Sequence, residues 1–251
     1  MNTVLKGAIL TITLVAVGAL SIRSIMNHND DYNDGYGTIY RPTPDPLLCE
    51  HPDGIDVSHH NEAYDWSKVD AQFVYMRATL GCDVKDSLYT RHLRRAHKWE
   101  LPVGAYHFLT ALTTAEEQFS NFSSVVRPED LELRPMLDVE DSNIWRAPEG
   151  FTDEDAHKLI REWCDLCKAY YGKAPVIYTT ESIYKRYGLD KGFDDCVWWV
   201  AAYTPRETFT DDCIVPFTLH QYSDKLNVEG FYDAVDCNRF RPGKSVKDLL
   251  L

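Results

Sequence analysis

Residues 134–141 read RPMLDVED, an apolar run that delivers two carboxylates, Asp138 and Glu140, two positions apart. Side chains alternate across a strand, so both acids share one face. Two acids held together at the end of a buried strand do not both ionise in the ordinary range, which favours one protonated carboxyl beside an ionised partner. That pairing suits acid-assisted cleavage of a glycosidic bond. Taken alone, an acidic tripeptide is more often a solvated loop end, so the reading depends on what surrounds it.

The surroundings are a series of short apolar or aromatic runs, each closing on polar residues. GIDVSHHNEAYDW begins at Gly54, FVYMRATLG at Phe73 and LPVGAYHF at Leu101; after the acid pair come APVIYTT from Ala174, CVWWVAAYT from Cys196, FTLHQYS from Phe217 and FYDAVDCNRF from Phe231. In order and spacing this series resembles glycoside hydrolase family 25, the N-acetylmuramidases often called Chalaropsis-type lysozymes. The resemblance covers about residues 54–240, and the combination of GIDVSH, GAYHF, LDVE and VDCN is more specific than any one piece.

The residues themselves point to an α/β protein. Runs at 73–78, 103–108, 135–139, 175–178, 197–202 and 217–222 read as strands, with helical patterns between several of them. The clearest helix spans residues 152–171: Thr152 caps with Asp155 at the third position, apolar residues recur from Ala156 to Tyr170, and Gly172 ends it. A second pattern runs from Thr114 to Val126, and a third follows Asp86 with Tyr89, Leu93 and Ala96 inward. Alternation of strand and helix implies a mainly parallel sheet. After Ala174 the helical spacers shrink, leaving one short helix at about residues 182–187, so a regular eight-helix barrel is not indicated. The resemblance implies a distorted TIM-like barrel of eight strands with about five helices. Chemistry in such barrels sits at the C-terminal ends of strands, and Asp56, Asp138, Glu140 and Asp236 all fall at or just after a strand-like run.

Motif by motif, the resemblance places Asp56, Asp138, Glu140 and Asp236 on the family's four active-site carboxylates, with Glu140 as the general acid. Each of Asp56 and Asp236 is equally readable, by itself, as a turn or cap residue. Two schemes stay open for the rest of the reaction. In one, the substrate's own 2-acetamido oxygen attacks C1 while Asp138 orients and charge-stabilises the amide; in the other, Asp56 or Asp236 activates water for inversion. The close Asp-x-Glu arrangement resembles enzymes of the first type. The resemblance further implies that Tyr106 lines the sugar cleft and that His107 hydrogen-bonds within the barrel. Tyr178, Trp199, Tyr203, Gln221 and Tyr222 stand at similar strand-end positions, where rings cover sugar faces and polar edges bind hydroxyls. Each is equally compatible with a place in the core. The chain departs from the family pattern at Ala78-Thr79-Leu80-Gly81, where members often carry Ala-Thr-Glu-Gly, so a rim acid is absent.

Composition bounds the partners. The chain has 251 residues, 44% of them apolar, enough for one sizeable core. With 26 basic against 39 acidic residues, a formal charge of −13, nucleic acid is excluded as a natural partner. An anionic glycan would have to be recognised by local hydrogen bonds and sugar stacking instead of long-range attraction. No metal-ligand pattern, phosphate loop or Ser-His-Asp series is present, and no cofactor is expected. The expected partner is the glycan strand of peptidoglycan. A noncatalytic glycan-binding module, or a hydrolase of another N-acetylglucosamine polymer, is the alternative. Nothing in the sequence speaks to oligomeric state.

Residues 1–25 read as an export signal: one positive charge precedes an apolar segment at 7–22. Sixteen helical residues rise roughly 24 Å, short of a bilayer core, which favours a cleaved signal; the lack of a strong Ala-x-Ala site favours an uncleaved anchor through residues 7–22. Residues 26–48, rich in Asn, Asp, Gly and Pro, read as a flexible tether, and 49–251 as the catalytic barrel. Seven cysteines leave an odd one if the exported chain is oxidised. Cys164 and Cys167 read as helix-packed core thiols, and a Cys196–Cys213 pairing is suggested because the two bracket one strand.

Overall fold

A computed structural model describes residues 41–140, 145–203 and 213–251. The export signal and the tether as far as residue 40 lie outside the described residues. Residues 41–48 of the tether are largely exposed and carry one 3-10 turn, Pro46–Leu48, capped by the Asp45 side chain.

Eight strands close a barrel. They are β1 (Gly54–Val57), β2 (Val74–Leu80), β4 (Val103–Phe108), β5 (Met136–Asp138), β6 (Val176–Thr179), β7 (Val197–Ala201), β8 (Leu219–Leu226) and β9 (Val235–Phe240), and the pairing of β1 with both β2 and β9 completes the ring. A two-residue strand, β3 (Val84–Lys85), forms a hairpin arm on β2. Neighbours from β1 through β8 that share the ring are parallel, whereas β9 runs antiparallel to both β8 and β1. This reversal accounts for the short β8–β9 connection: an antiparallel neighbour needs only a short turn, not a crossover helix.

Four α-helices are found among the described residues: α1 (Tyr89–Lys98), α2 (Ala115–Ser123), α3 (Asp153–Tyr171) and α4 (Glu181–Arg186). Capping boxes start α2, through Thr114 and Glu117, and α3, through Thr152 and Asp155. α3 ends where Gly172 adopts a φ of 84°, a left-handed conformation that glycine takes without a Cβ penalty.

The period of two along each strand divides the apolar residues into two layers. One face packs outward against the helices, with Ile55, Met76, Leu137 and Ile177 joining Trp163, Cys164 and Cys167 of α3. The other fills the barrel with Phe73, Tyr75, Met136, Val176, Leu219 and Phe240. Space inside is so limited that a Cβ on Gly104 would overlap the Tyr75 ring, which explains the glycine of the GAYHF run. Leu249 plugs the interior near the chain end, where Arg134 N–H donates to its carbonyl and Leu133 bridges Leu250. No helix among the described residues is long and apolar enough to cross a membrane.

Candidate active site

At one mouth of this packed barrel the inner-face residues change from apolar to acidic. Asp138 is the last residue of β5, in register with Phe108 on one side and Tyr178 on the other. Glu140 follows two residues later. Asp56 sits inward on β1, directly opposite Asp236 of β9. Asp236 is near the start of β9, not the end of a strand as the sequence suggested; because β9 is reversed, its first residues share the mouth with the C-terminal ends of the parallel strands. The structure therefore brings all four carboxylates together.

Their environments differ. Asp56, 6% exposed, accepts hydrogen bonds from Asn238 Nδ2 at 2.8 Å and from Gln221 Nε2 at 3.0 and 3.2 Å. These donors favour its ionised form and oppose the upward push of burial. Asp236 shares a hydrogen bond with Asp56, and burial together with the Asp56 charge pushes it up to about 9. In this couple Asp236 holds the proton. Asp138 is pushed well above the carboxylate range, first by burial and then by Glu140, Asp56 and Asp236, with only Arg77 opposing. Its Oδ1 has no hydrogen-bond partner among the described residues. Glu140 is raised by burial and by Asp56, while the Tyr178 hydroxyl, within hydrogen-bonding reach, favours its anion. Burial and neighbouring charge thus hold both carboxyls of the Asp138–Glu140 pair above the ordinary range, Asp138 the more strongly.

The residues expected to contact sugar divide sharply. Tyr203 is 57% exposed at the rim, and Tyr178, nearly buried, joins it in lining a cavity of about 530 Å³ with Glu140, Thr180, Ser182 and Arg186. Tyr106 lies on the inner face of β4, almost buried, close enough for Asp56 and Asp138 to influence its hydroxyl. Gln221 is buried as a hub: its Oε1 accepts from Tyr178 at 2.8 Å and Tyr203 at 3.1 Å while its Nε2 donates to Asp56. It positions other groups in place of offering a free edge to sugar.

Two further expectations are corrected. Trp199 is fully buried in the barrel, its indole N–H donating to Asn238 Oδ1 at 2.9 Å, so it supports the site from below. Tyr222 follows Gln221 by one residue and so projects to the opposite, outer face, where the Arg239 guanidinium lies 4.9 Å from its ring centroid. His107 also faces outward: it is buried between Thr79 Oγ1 (2.8 Å) and Gln118 Oε1 (3.3 Å) and stacked on Trp163, with burial pushing it down to about 4, hence neutral.

Sequence reasoning missed two members. Asn238, quoted in VDCN but given no role, links Trp199 to Asp56. Arg77 brings a cation to the mouth, held by Asp86 Oδ2 at 3.0 Å and in contact with His59. Its position two residues after Tyr75 on the inward face was the available signal. The Cys196–Cys213 pairing is not formed: all seven cysteines are free, and Cys213 lies beside Glu181 whereas Cys196 faces Cys164.

A mixed barrel with a buried carboxyl pair at its mouth, beside an open cavity, is an arrangement suited to acid-assisted cleavage of a glycosidic bond. The glycosyl hydrolases family 25 profile matches residues 55–231, and the chain belongs to that family. It is 28% identical over 254 residues to the uncharacterized protein YegX of Escherichia coli O6:H1, covering 92% of this chain and 89% of that one. Lysozyme M1 of Streptomyces globisporus is 27% identical over 196 residues, 74% of this chain and 67% of the relative. The crystal structure of the bacterial lysozyme from Streptomyces coelicolor superimposes with a TM-score of 0.69 at 27% identity, covering 78% of this chain and 94% of the other.

Proposed function

We propose that this glycoside hydrolase is an exported N-acetylmuramidase that cleaves the β-1,4 bond between N-acetylmuramic acid and N-acetylglucosamine in peptidoglycan. The observation that carries the reading is the Asp138–Glu140 pair, in which the buried Asp138 Oδ1 has no partner among the described residues while the Glu140 carboxyl opens on the cavity. Lysozyme relatives support the substrate class.

The substrate's 2-acetamido N–H donates to Asp138 Oδ1. A carboxylate accepts that bond better than a carboxylic acid does, so binding drives the shared proton from Asp138 to Glu140. Glu140 then protonates the glycosidic oxygen as the bond to C1 breaks, and the acetamido oxygen closes on C1 to give an oxazolinium ion facing the Asp138 charge. Water, deprotonated by the resulting Glu140 carboxylate, opens that ring with net retention. Asp56, whose anion is favoured by donors from Asn238 and Gln221, adds negative potential near the developing cation. Tyr203 and Tyr106 bound the sugar.

Residues 7–22 direct the chain out of the cytoplasm, residues 26–48 act as tether, and 49–251 form the catalytic barrel. Fractionation tests this part: activity confined to the cytosol contradicts it, and retention in the membrane pellet after a carbonate wash separates anchor from cleaved signal. For the chemistry, purified peptidoglycan is digested and the new reducing ends are identified by mass spectrometry. N-acetylmuramic acid ends support the proposal, and reducing N-acetylglucosamine ends overturn it.

A further inference from the structure

The sulfur atoms of α3 and the residue before β7 form a cluster remote from the acidic mouth. Arg161 and Lys168 stand on one face of α3 and both grip Asp195: Arg161 Nη1 at 3.1 Å from Oδ1 and Lys168 Nζ at 2.8 Å from Oδ2. Arg161 also donates to the Gly192 carbonyl at 2.8 Å. Cys164 lies three residues after Arg161 and four before Lys168, so helical spacing puts its side chain between the two clamps. On the other side of the clamp, Cys196 Sγ is 3.7 Å from the same Asp195 Oδ1. Across the clamp, Cys196 lies near enough to Cys164 to add to burial in holding the Cys164 thiol well above its ordinary range. Cys164 is fully buried, whereas Cys196 keeps partial access to solvent. Cys167, a turn further along α3, is also buried.

We infer that Cys164 and Cys196 are the partners of a disulfide that forms when the chain meets an oxidising environment, fastening α3 to the entry of β7. The oxidant is a disulfide donor, either a small molecule such as oxidised glutathione or a protein disulfide. The Cys196 thiolate, reachable from solvent, attacks one donor sulfur, releasing one donor thiol and leaving a mixed disulfide on Cys196. The Cys164 thiolate then attacks Cys196 Sγ and expels the second donor thiol. Two protein thiols are oxidised, one donor disulfide is reduced, and the two protein protons end on the donor thiols. During folding, before Cys164 is sealed in the core, access imposes no barrier. The link would add a covalent tie where Arg161 and Lys168 of α3 already grip Asp195 beside the start of β7. It concerns the chain itself and holds whichever glycan is cleaved.

The test uses the full chain, unfolded, refolded in a mixture of reduced and oxidised glutathione, then alkylated in denaturant and mapped as peptides without reduction. A peptide joining Cys164 to Cys196 is expected, present in Cys167→Ala and absent in Cys164→Ser. Reducing the wild-type protein should lower Tm by about 5–10 °C, as expected for opening a loop of about 30 residues in a domain of this size, and leave turnover per folded molecule unchanged. Free alkylated Cys164 and Cys196, a glutathione adduct persisting on Cys196, or Cys196 joined to Cys167 or Cys213 would each overturn the assignment.

Discussion

Asp56 and Asp236 stand directly opposite each other on the antiparallel strands β1 and β9, close enough that the Asp56 charge helps burial to raise the Asp236 carboxyl. Asp56 keeps the charge because Asn238 and Gln221 donate to it. Asp236 keeps the proton, pushed up to about 9 by burial and by Asp56.

That arrangement fixes a sign for stability against pH. Between the ordinary aspartate range in the unfolded chain and about 9 in the folded one, the folded state binds the extra proton. Stability from this couple is therefore fully present below about pH 4 and lost as pH rises through about 9. Thermal unfolding of Asp236→Asn, which needs no proton to stay neutral, should show a shallower fall in Tm from pH 6 to pH 9 than wild type. Parallel curves would contradict the assignment of that proton to Asp236.

Tyr178 connects two halves of the site: its one O–H donates to Gln221 Oε1 and lies within reach of the Glu140 carboxylate, to which it can turn instead. Removing its hydroxyl in Tyr178→Phe withdraws a group that favours the Glu140 anion, so Glu140 holds its proton to higher pH. The alkaline limb of kcat/KM should move upward, and kcat/KM at the optimum should fall roughly tenfold, the scale of a lost hydrogen bond to a charged group. A limb that stays or moves down refutes this role for Tyr178.

Two aromatic residues expected alike from sequence should behave differently. Trp199→Ala opens a cavity beneath Asn238 and should cost about 3–5 kcal/mol of stability. Tyr203→Ala, at the exposed rim, should leave Tm nearly unchanged and raise KM by about three- to tenfold through lost sugar stacking. Urea unfolding and steady-state kinetics on both variants check the contrast; a KM effect from an otherwise stable Trp199→Ala would reverse it.

The difference between those two rings shows where sequence was legible. The cap at Thr152, the apolar period from Thr114 and the six apolar runs revealed most helices and strands, because each signal is local. Period-two alternation correctly put Asp138 and Glu140 on one face, and the same rule applied to Gln221 and Tyr222 would have sent Tyr222 outward. Depth along the barrel is another matter. Trp199 and Tyr203 differ in height at the mouth, which depends on how neighbouring strands are staggered, a nonlocal property. The direction of β9 was equally hidden, so Asp236 looked like a strand end when it is near a strand start. β3, two exposed residues long, is too short to carry a period.

The central claim is that Glu140 delivers the proton to the glycosidic oxygen, and its most direct test is the rate at which Glu140→Gln releases new N-acetylmuramic acid reducing ends from purified peptidoglycan. The substitution keeps the side-chain shape and removes only the transferable proton. With circular dichroism and Tm matching wild type, the rate should fall by at least roughly the hundredfold typical of lost general acid catalysis. Hydrolysis by the folded variant at close to the wild-type rate would contradict the account.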